Sequence, residues 1–269
     1  MKTNLIAFGN DSCKLAEKLH DEDTCNLILF PNTFSIGETI EDGEKWIGEQ
    51  KPFHSLSSND YSETLCFIEG GSAISGATLF CLEQFKNKPI TVFFIHHEIV
   101  DPVALKNQQL VFNILQEYSR SGLFKSFIAF EWLKIADIVT ESLNDNDVYE
   151  HSEFINLVID RIIFAINIYW KINHENYIEG DRFSWNAPNY KIMTFFEGYN
   201  PIKTYFNLNQ ISMKNYVLGV KPKMTKIEIL KLNNFKKSAK EEKSGIIMFS
   251  DENEFVAGFV GSSVIQNNN

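Results

Sequence analysis

The first half of the chain alternates short apolar runs with segments in which apolar residues recur every three or four positions. Buried strands are predicted at residues 5–8, 26–30, 64–68, 90–95 and 125–130. Amphipathic helices are predicted at residues 13–20, 77–85 and 101–118. Strands that alternate with helices are typical of a parallel sheet covered by helices, so the sequence predicts an α/β fold.

The longest regular segment, residues 153–173, carries apolar side chains around most of its helical circumference. A helix of this kind is buried between two bodies. At about 20 residues it spans about 30 Å, the width of a small domain. We therefore expect a long central helix that joins two halves of the protein.

The chain changes character after residue 180. Short strand-like runs are predicted at residues 190–196, 205–208, 216–220, 227–230, 245–249 and 255–260. A lysine-rich stretch, residues 235–243, is predicted to be an exposed loop. The predicted organisation is an α/β domain of residues 1–150, a central helix of residues 151–175 and a smaller β-rich domain of residues 176–269.

Composition and charge narrow the range of partners. The 269 residues are 44% hydrophobic and carry a formal charge of −10, which fits a globular chain and opposes direct binding of nucleic acid or anionic membranes. Four cysteines without a histidine at metal-ligand spacing favour reduced thiols. The N-terminus does not resemble a signal peptide. No apolar run reaches the roughly 18 residues of a membrane helix, so we expect a cytoplasmic protein.

The turn after the third predicted strand is the strongest candidate for a binding site. Its residues are Glu69, Gly70, Gly71, Ser72 and Ala73, and a predicted helix follows. In a strand–turn–helix of small residues, backbone N–H groups and the helix N-terminus face one point, which favours an anion such as a phosphate. The alternative is a tight turn whose small residues let the helix lie on the sheet.

Two other turns are expected beside this one. Residues 9–12 follow the first strand, and residues 31–33 follow the second. Ligands of parallel sheets lie beyond the carboxyl ends of the strands, so the three turns are predicted to converge on one edge.

His96 and His97 end the fourth predicted strand, with Glu98 adjacent. Paired histidines invite a metal interpretation, but no third ligand follows at helical spacing. A loop at the end of a strand is the favoured interpretation, and no metal site is predicted.

The order of these features resembles the tubulin/FtsZ superfamily, including the shorter tubulin-like proteins of phages and plasmids. The family's glycine-rich loop, GGGTGTG, corresponds to residues 69–75, EGGSAIS, between a strand and a helix. The family's Asn-Thr-Asp loop is similar to residues 31–34, and its first phosphate loop to residues 9–12. The resemblance covers roughly residues 4–190 and implies a nucleotide-binding α/β domain, a long central helix and a smaller β-rich domain.

The resemblance also implies a function: GTP and Mg²⁺ as cofactors, and head-to-tail assembly of identical subunits into filaments, in the host cytoplasm if the chain is phage-encoded. Hydrolysis would be completed by an acidic loop of the neighbouring subunit, corresponding here to Asp181, with Glu179 beside it. The implied nucleotide-binding positions are Gly9, Asn10, Asp11, Ser12, Asn32, Thr33, Gly70, Gly71, Ser72, Ala73 and Asn156.

The sequence departs from the family pattern in the two loops that would bind and hydrolyse the nucleotide. Glu69, Ala73 and Ser75 replace glycines of the main loop, and Ile178 occupies one acidic position of the later loop. A carboxylate that points at a triphosphate costs affinity unless a metal ion lies between them. Two hypotheses therefore remain open: a divergent GTPase that polymerises, and a degenerate tubulin-like assembly protein that neither binds nor hydrolyses GTP. An unrelated α/β nucleotide-binding enzyme is disfavoured because the chain has neither a G-x-G-x-x-G nor a P-loop motif.

Overall fold

A computed structural model describes residues 2–32, 37–48, 61–85, 88–144, 148–174, 179–180, 192–199, 201–252 and 254–266. The contacts between residues divide the chain into two compact units, Met1–Ile159 and Asp160–Gln266. The division falls within one continuous helix, α6 (His151–His174).

The first unit contains a parallel sheet. Its strands are β1 (Lys2–Phe8), β2 (Cys25–Phe30), β3 (Tyr61–Glu69), β4 (Ile90–His96) and β5 (Ser126–Glu131). They lie in the order β2-β1-β3-β4-β5, and every neighbouring pair is parallel. Strand β4 is buried along all but its last residue, as expected for a parallel strand covered on both faces. The predicted α/β fold is confirmed.

Five helices connect and follow these strands. They are α1 (Asn10–Leu19), α2 (Ile40–Gly48), α3 (Ile74–Phe85), α4 (Pro102–Arg120) and α5 (Trp132–Ser142). Helix α4 begins where its sequence dictates, because the Asp101 side chain accepts a hydrogen bond from the Ala104 N–H at 2.7 Å and Pro102 occupies the first turn. Helix α5 lies where the sequence analysis predicts no helix.

Helices α2 and α3 approach each other so closely that their backbones touch. A Cβ atom on Gly43 would overlap the carbonyl oxygen of Ala73, and one on Gly76 would overlap the carbonyl oxygen of Ile40. Gly76, which belongs to the glycine-rich stretch of the sequence, therefore has a packing role.

The second unit contains a mixed sheet. Its strands are β6 (Glu179–Gly180), β7 (Ile192–Glu197), β8 (Lys203–Thr204), β9 (Met213–Val220), β10 (Gly245–Ser250) and β11 (Phe255–Ser262). The order is β7-β11-β9-β10-β6, with β8 paired to β7. Strands β9 and β10 are parallel, and the other described pairs are antiparallel.

Three expectations for this unit are wrong. The strand predicted at residues 227–230 and the loop predicted at residues 235–243 belong to one helix, α7 (Lys226–Glu241). A capping box between Thr225 and Glu228 starts this helix, and Phe235 anchors it by packing edge-on against Tyr216 at 5.0 Å. The strand predicted at residues 205–208 is also wrong, because the pairing there is confined to β8.

Helix α6 contributes to the second unit through its C-terminal part. Phe164 packs edge-on against Phe195 and Phe255, with ring centroids 5.8 and 5.7 Å apart. Lys171 forms an ion pair with Asp251 at 2.8 Å. The long helix is confirmed, whereas the predicted three-part division of the chain stays a prediction.

The backbone contact at Gly76 makes it sensitive to the smallest substitution. Gly76→Ala is expected to lower the free energy of unfolding by about 1–3 kcal/mol, because the added methyl group forces α2 and α3 apart. Urea unfolding followed by tryptophan fluorescence measures the change. The control is Lys106→Ala on an exposed position of α4, and equal stability of the two variants would contradict the close packing.

Candidate functional site

The carboxyl ends of three adjacent strands meet at one edge of the first unit's sheet. Phe8 at the end of β1 lies beside Ile68 of β3, and Glu69 at the end of β3 lies beside Ile95 of β4. The chain that follows each of these strands therefore reaches the same edge. Phe8 also lies beside Phe30 at the end of β2, so the turns after β1, β2 and β3, which the sequence predicts to converge, start from neighbouring strand ends.

Glu69 points at the N-terminus of α1. The backbone N–H of Asp11 donates a hydrogen bond to Oε2 of Glu69 at 2.9 Å. Gly9 has a φ of 102°, and a Cβ atom there would lie 2.5 Å from the same carboxylate oxygen. Glycine at position 9 is thus what allows the carboxylate to reach donors that a helix N-terminus otherwise offers to an anion.

Burial makes the Glu69 carboxyl group a weaker acid than an exposed glutamate. Desolvation raises the pKa of Glu69 from 4.5 to about 7, the hydrogen bond from the Asp11 backbone opposes that rise, and the charge of Asp11 adds to it. The charge of Lys14, which forms an ion pair with Asp11 at 3.0 Å, lowers the pKa of Glu69 but does not cancel the effect of desolvation.

The glycines of the main turn are covered by side chains of the same unit. A Cβ atom on Gly71, which has a φ of 95°, would overlap the side chain of Ile99. One on Gly70 would overlap Gln108 and Phe94. The hydroxyl of Ser75 donates to the carbonyl oxygen of Glu69 at 3.1 Å, which joins the first turn of α3 to the end of β3.

Gln108 on α4 fixes the end of β4 and was not singled out from the sequence. Its Oε1 accepts from the His97 N–H at 2.9 Å, and its Nε2 donates to the His97 carbonyl oxygen at 2.9 Å. The same Nε2 lies 3.1 Å from Nε2 of His96. An amide nitrogen donates only, so His96 accepts there. Burial, together with the neighbouring His97, lowers the pKa of His96 to about 4.

The other predicted positions are distributed as follows. The N–H of Asn32 donates to Oδ1 of Asn10 at 3.1 Å, which joins the first two turns. Ser12 is fully buried and Ser72 is half-buried, and neither hydroxyl has a hydrogen-bond partner among the described residues. The carbonyl oxygen of Ala73 accepts from the Gly76 N–H at 3.1 Å.

The remaining positions lie elsewhere on the chain. Asn156 is on α6 and lines a surface pocket of about 520 Å³ together with Tyr149 and Glu153. Glu179 is in β6, where it pairs with Met248. Thr33 and Asp181 fall outside the described residues.

The overall arrangement of the chain matches that of known structures. No protein-family profile matches the sequence, and no curated protein does either. Among solved structures, an empty FtsZ dimer from M. jannaschii superimposes with a TM-score of 0.68 over 97% of this chain and 88% of its own, at 11% identity. The chain has the tubulin/FtsZ fold.

Two further structures with this fold support the assignment. CetZ2 from Haloferax volcanii, a GTPγS-bound protofilament, has a TM-score of 0.68 over 97% of this chain and 92% of its own, at 12% identity. TubZ from Bacillus thuringiensis serovar israelensis, a GTPγS-form protofilament, has a TM-score of 0.68 over 97% and 87%, at 10% identity. The phage or plasmid type stays a prediction. No helix within the described residues is long and apolar enough to cross a membrane.

The turns of this tubulin/FtsZ fold do not fit a nucleotide phosphate. The Glu69 carboxylate already accepts a hydrogen bond from the N–H group of Asp11, and the Ile99 side chain covers Gly71. A phosphate placed there would meet a buried carboxyl group and an apolar side chain. The assignment of these turns to GTP and Mg²⁺ stays a prediction.

The same edge brings together three possible metal ligands. Asp11, Glu69 and His97 each offer a ligand atom, and these atoms lie within 4.8 Å of one another. Glu69 ends β3, His97 follows β4 and Asp11 lies in the first turn of α1 after β1, so spacing along the sequence does not reveal them. Strand adjacency is the signal that would have found them, because β1, β3 and β4 are neighbours in the sheet.

The raised pKa of Glu69 predicts a pH-dependent stability. Between pH 4.5 and about 7 the folded chain keeps a proton that the unfolded chain has lost, so stability falls as the pH rises. We expect a loss of about 3 kcal/mol across this window that is absent in Glu69→Gln. Unfolding by urea at several pH values, in buffer with EDTA, measures it. The control is Glu98→Gln, an exposed neighbouring carboxylate. A wild-type profile that rises or stays flat relative to Glu69→Gln would contradict the burial of Glu69.

Proposed function

We propose that this protein assembles head to tail with copies of itself and does so without a nucleotide phosphate at the Gly70 turn. The observation that carries the proposal is the hydrogen bond from the Asp11 N–H to the Glu69 carboxylate. It places an internal anion where the fold would otherwise receive one from a ligand.

Self-assembly is supported by the fold. The similar structures include an FtsZ dimer and protofilaments of CetZ2 and TubZ, and each covers 97% of this chain. The formal charge of −10 makes copies of the chain repel one another. Salt screens such repulsion over about 8–10 Å near physiological ionic strength, so assembly should strengthen as salt is added.

Independence from nucleotide is supported by the internal contacts of the site. Glu69, Ser75 and Gln108 hold the ends of β3 and β4 and the start of α1 with hydrogen bonds from the chain itself. A site ordered by its own side chains gains little further order from a ligand. The state that assembles is then available in the free protein.

GTP-dependent assembly is the second candidate. It is favoured by the pocket that Asn156 lines together with Tyr149, because Asn156 is the position that the resemblance assigns to the base. Asp181 and Glu179 keep their implied catalytic role in this candidate.

Glu69→Gly separates the two candidates, because it removes the internal anion and restores the glycine of the family loop. We expect wild-type protein to pellet equally with and without GTP and magnesium, and to bind a fluorescent GTP analogue at least tenfold more weakly than Glu69→Gly, a difference of about 1.4 kcal/mol. Glu69→Gln is the matched control, since it keeps the size and the acceptor oxygen of the side chain.

Sedimentation, electron microscopy and phosphate release are measured on the same samples. Wild-type protein that pellets only with GTP and releases phosphate would establish the second candidate. Protein that stays monomeric at every salt and nucleotide concentration would overturn both.

A further inference from the structure

We infer that Asp11, Glu69 and His97 form a binding site for one divalent transition-metal ion of the Zn²⁺ class, held by these three side chains. The inference does not depend on self-assembly or on nucleotide binding. It rests on the geometry of the three side chains and on an unused ring nitrogen.

The geometry is close to that of a formed site. The three ligand atoms lie within 4.8 Å of one another. Ligands of a tetrahedral zinc ion lie about 2.0–2.2 Å from the metal and therefore about 3.5 Å from each other. Movements of about 1 Å or less at each side chain would complete the site, and no backbone change is required.

His97 is held in place and has a nitrogen to spare. The Gln108 side chain forms hydrogen bonds with the N–H and the carbonyl oxygen of His97. The His97 ring stacks on Trp132, with ring centroids 5.2 Å apart. Nε2 of His97 is shielded from solvent and has no hydrogen-bond partner among the described residues. A neutral imidazole nitrogen of this kind offers its lone pair to a metal ion.

The two carboxylates gain from a cation. Glu69 is buried, and Asp11 adds a like charge beside it, so a divalent ion would relieve both desolvation and repulsion. Lys14 competes for Asp11 through its ion pair to Oδ1 at 3.0 Å. The ion must either bind the other oxygen of Asp11 or displace Lys14.

The ligand types select the metal. One imidazole with two carboxylates suits zinc and related transition metals, whereas magnesium prefers oxygen ligands and keeps most of its water. Three protein ligands leave a fourth position for water or a small anion.

The test uses the full chain, treated with EDTA and dialysed, without nucleotide. Isothermal titration with ZnCl₂ is expected to give one ion per chain, and a hundredfold excess of MgCl₂ should not displace it. His97→Ala is expected to lower the zinc affinity at least tenfold. His151→Ala, which removes an exposed histidine from the start of α6, is the matched control and should bind as the wild type does.

Three further variants guard against misfolding of His97→Ala. Asp11→Asn and Glu69→Gln should each weaken zinc binding, and Co²⁺ in the wild type should give visible absorption bands that His97→Gln abolishes. Zinc affinity that is unchanged in His97→Ala, or binding that appears only when GTP is added, would overturn the inference.

Discussion

The hydrogen bond between the Asp11 N–H and the Glu69 carboxylate joins the start of α1 to the end of β3, at the edge of the sheet where the candidate site lies. It satisfies a donor that the N-terminus of α1 cannot satisfy within the helix. It also requires Gly9, since any side chain at that position would collide with Glu69. The cost is a buried carboxylate whose pKa rises to about 7. Within the tubulin/FtsZ fold, the N-terminus of α1 is thus bonded by a carboxylate of the chain itself.

Much of the first unit could be predicted because its strands are buried on both faces. Continuous apolar runs such as β4 (Ile90–His96) indicate both that the segment is a strand and where it lies in the chain. The order of strands, turns and helices then carried the resemblance to a family that sequence identities of 10–12% could not reveal. The convergence of the turns followed from parallel topology alone.

The second unit was harder because its local signals are mixed. The run at residues 227–230 is apolar enough for a strand, yet a capping box and the packing of Phe235 make it helical. Tertiary packing decided that segment. At the site, the direction of the Glu69 side chain and the approach of His97 depend on neighbouring strands, so no local pattern encodes them. Gln108 was missed because a polar residue within an amphipathic helix is ordinarily solvated.

Gln108 has a consequence for how the site responds to change. Its amide oxygen and nitrogen are both committed to His97, and its nitrogen also faces His96. A glutamate of the same shape would still accept from the His97 N–H but would place a second acceptor oxygen against the His97 carbonyl oxygen, so this isosteric replacement would repel where the native amide nitrogen donates. Gln108 therefore ties α4 to the end of β4, so a shift of His97 has to break these two hydrogen bonds or carry Gln108 with it.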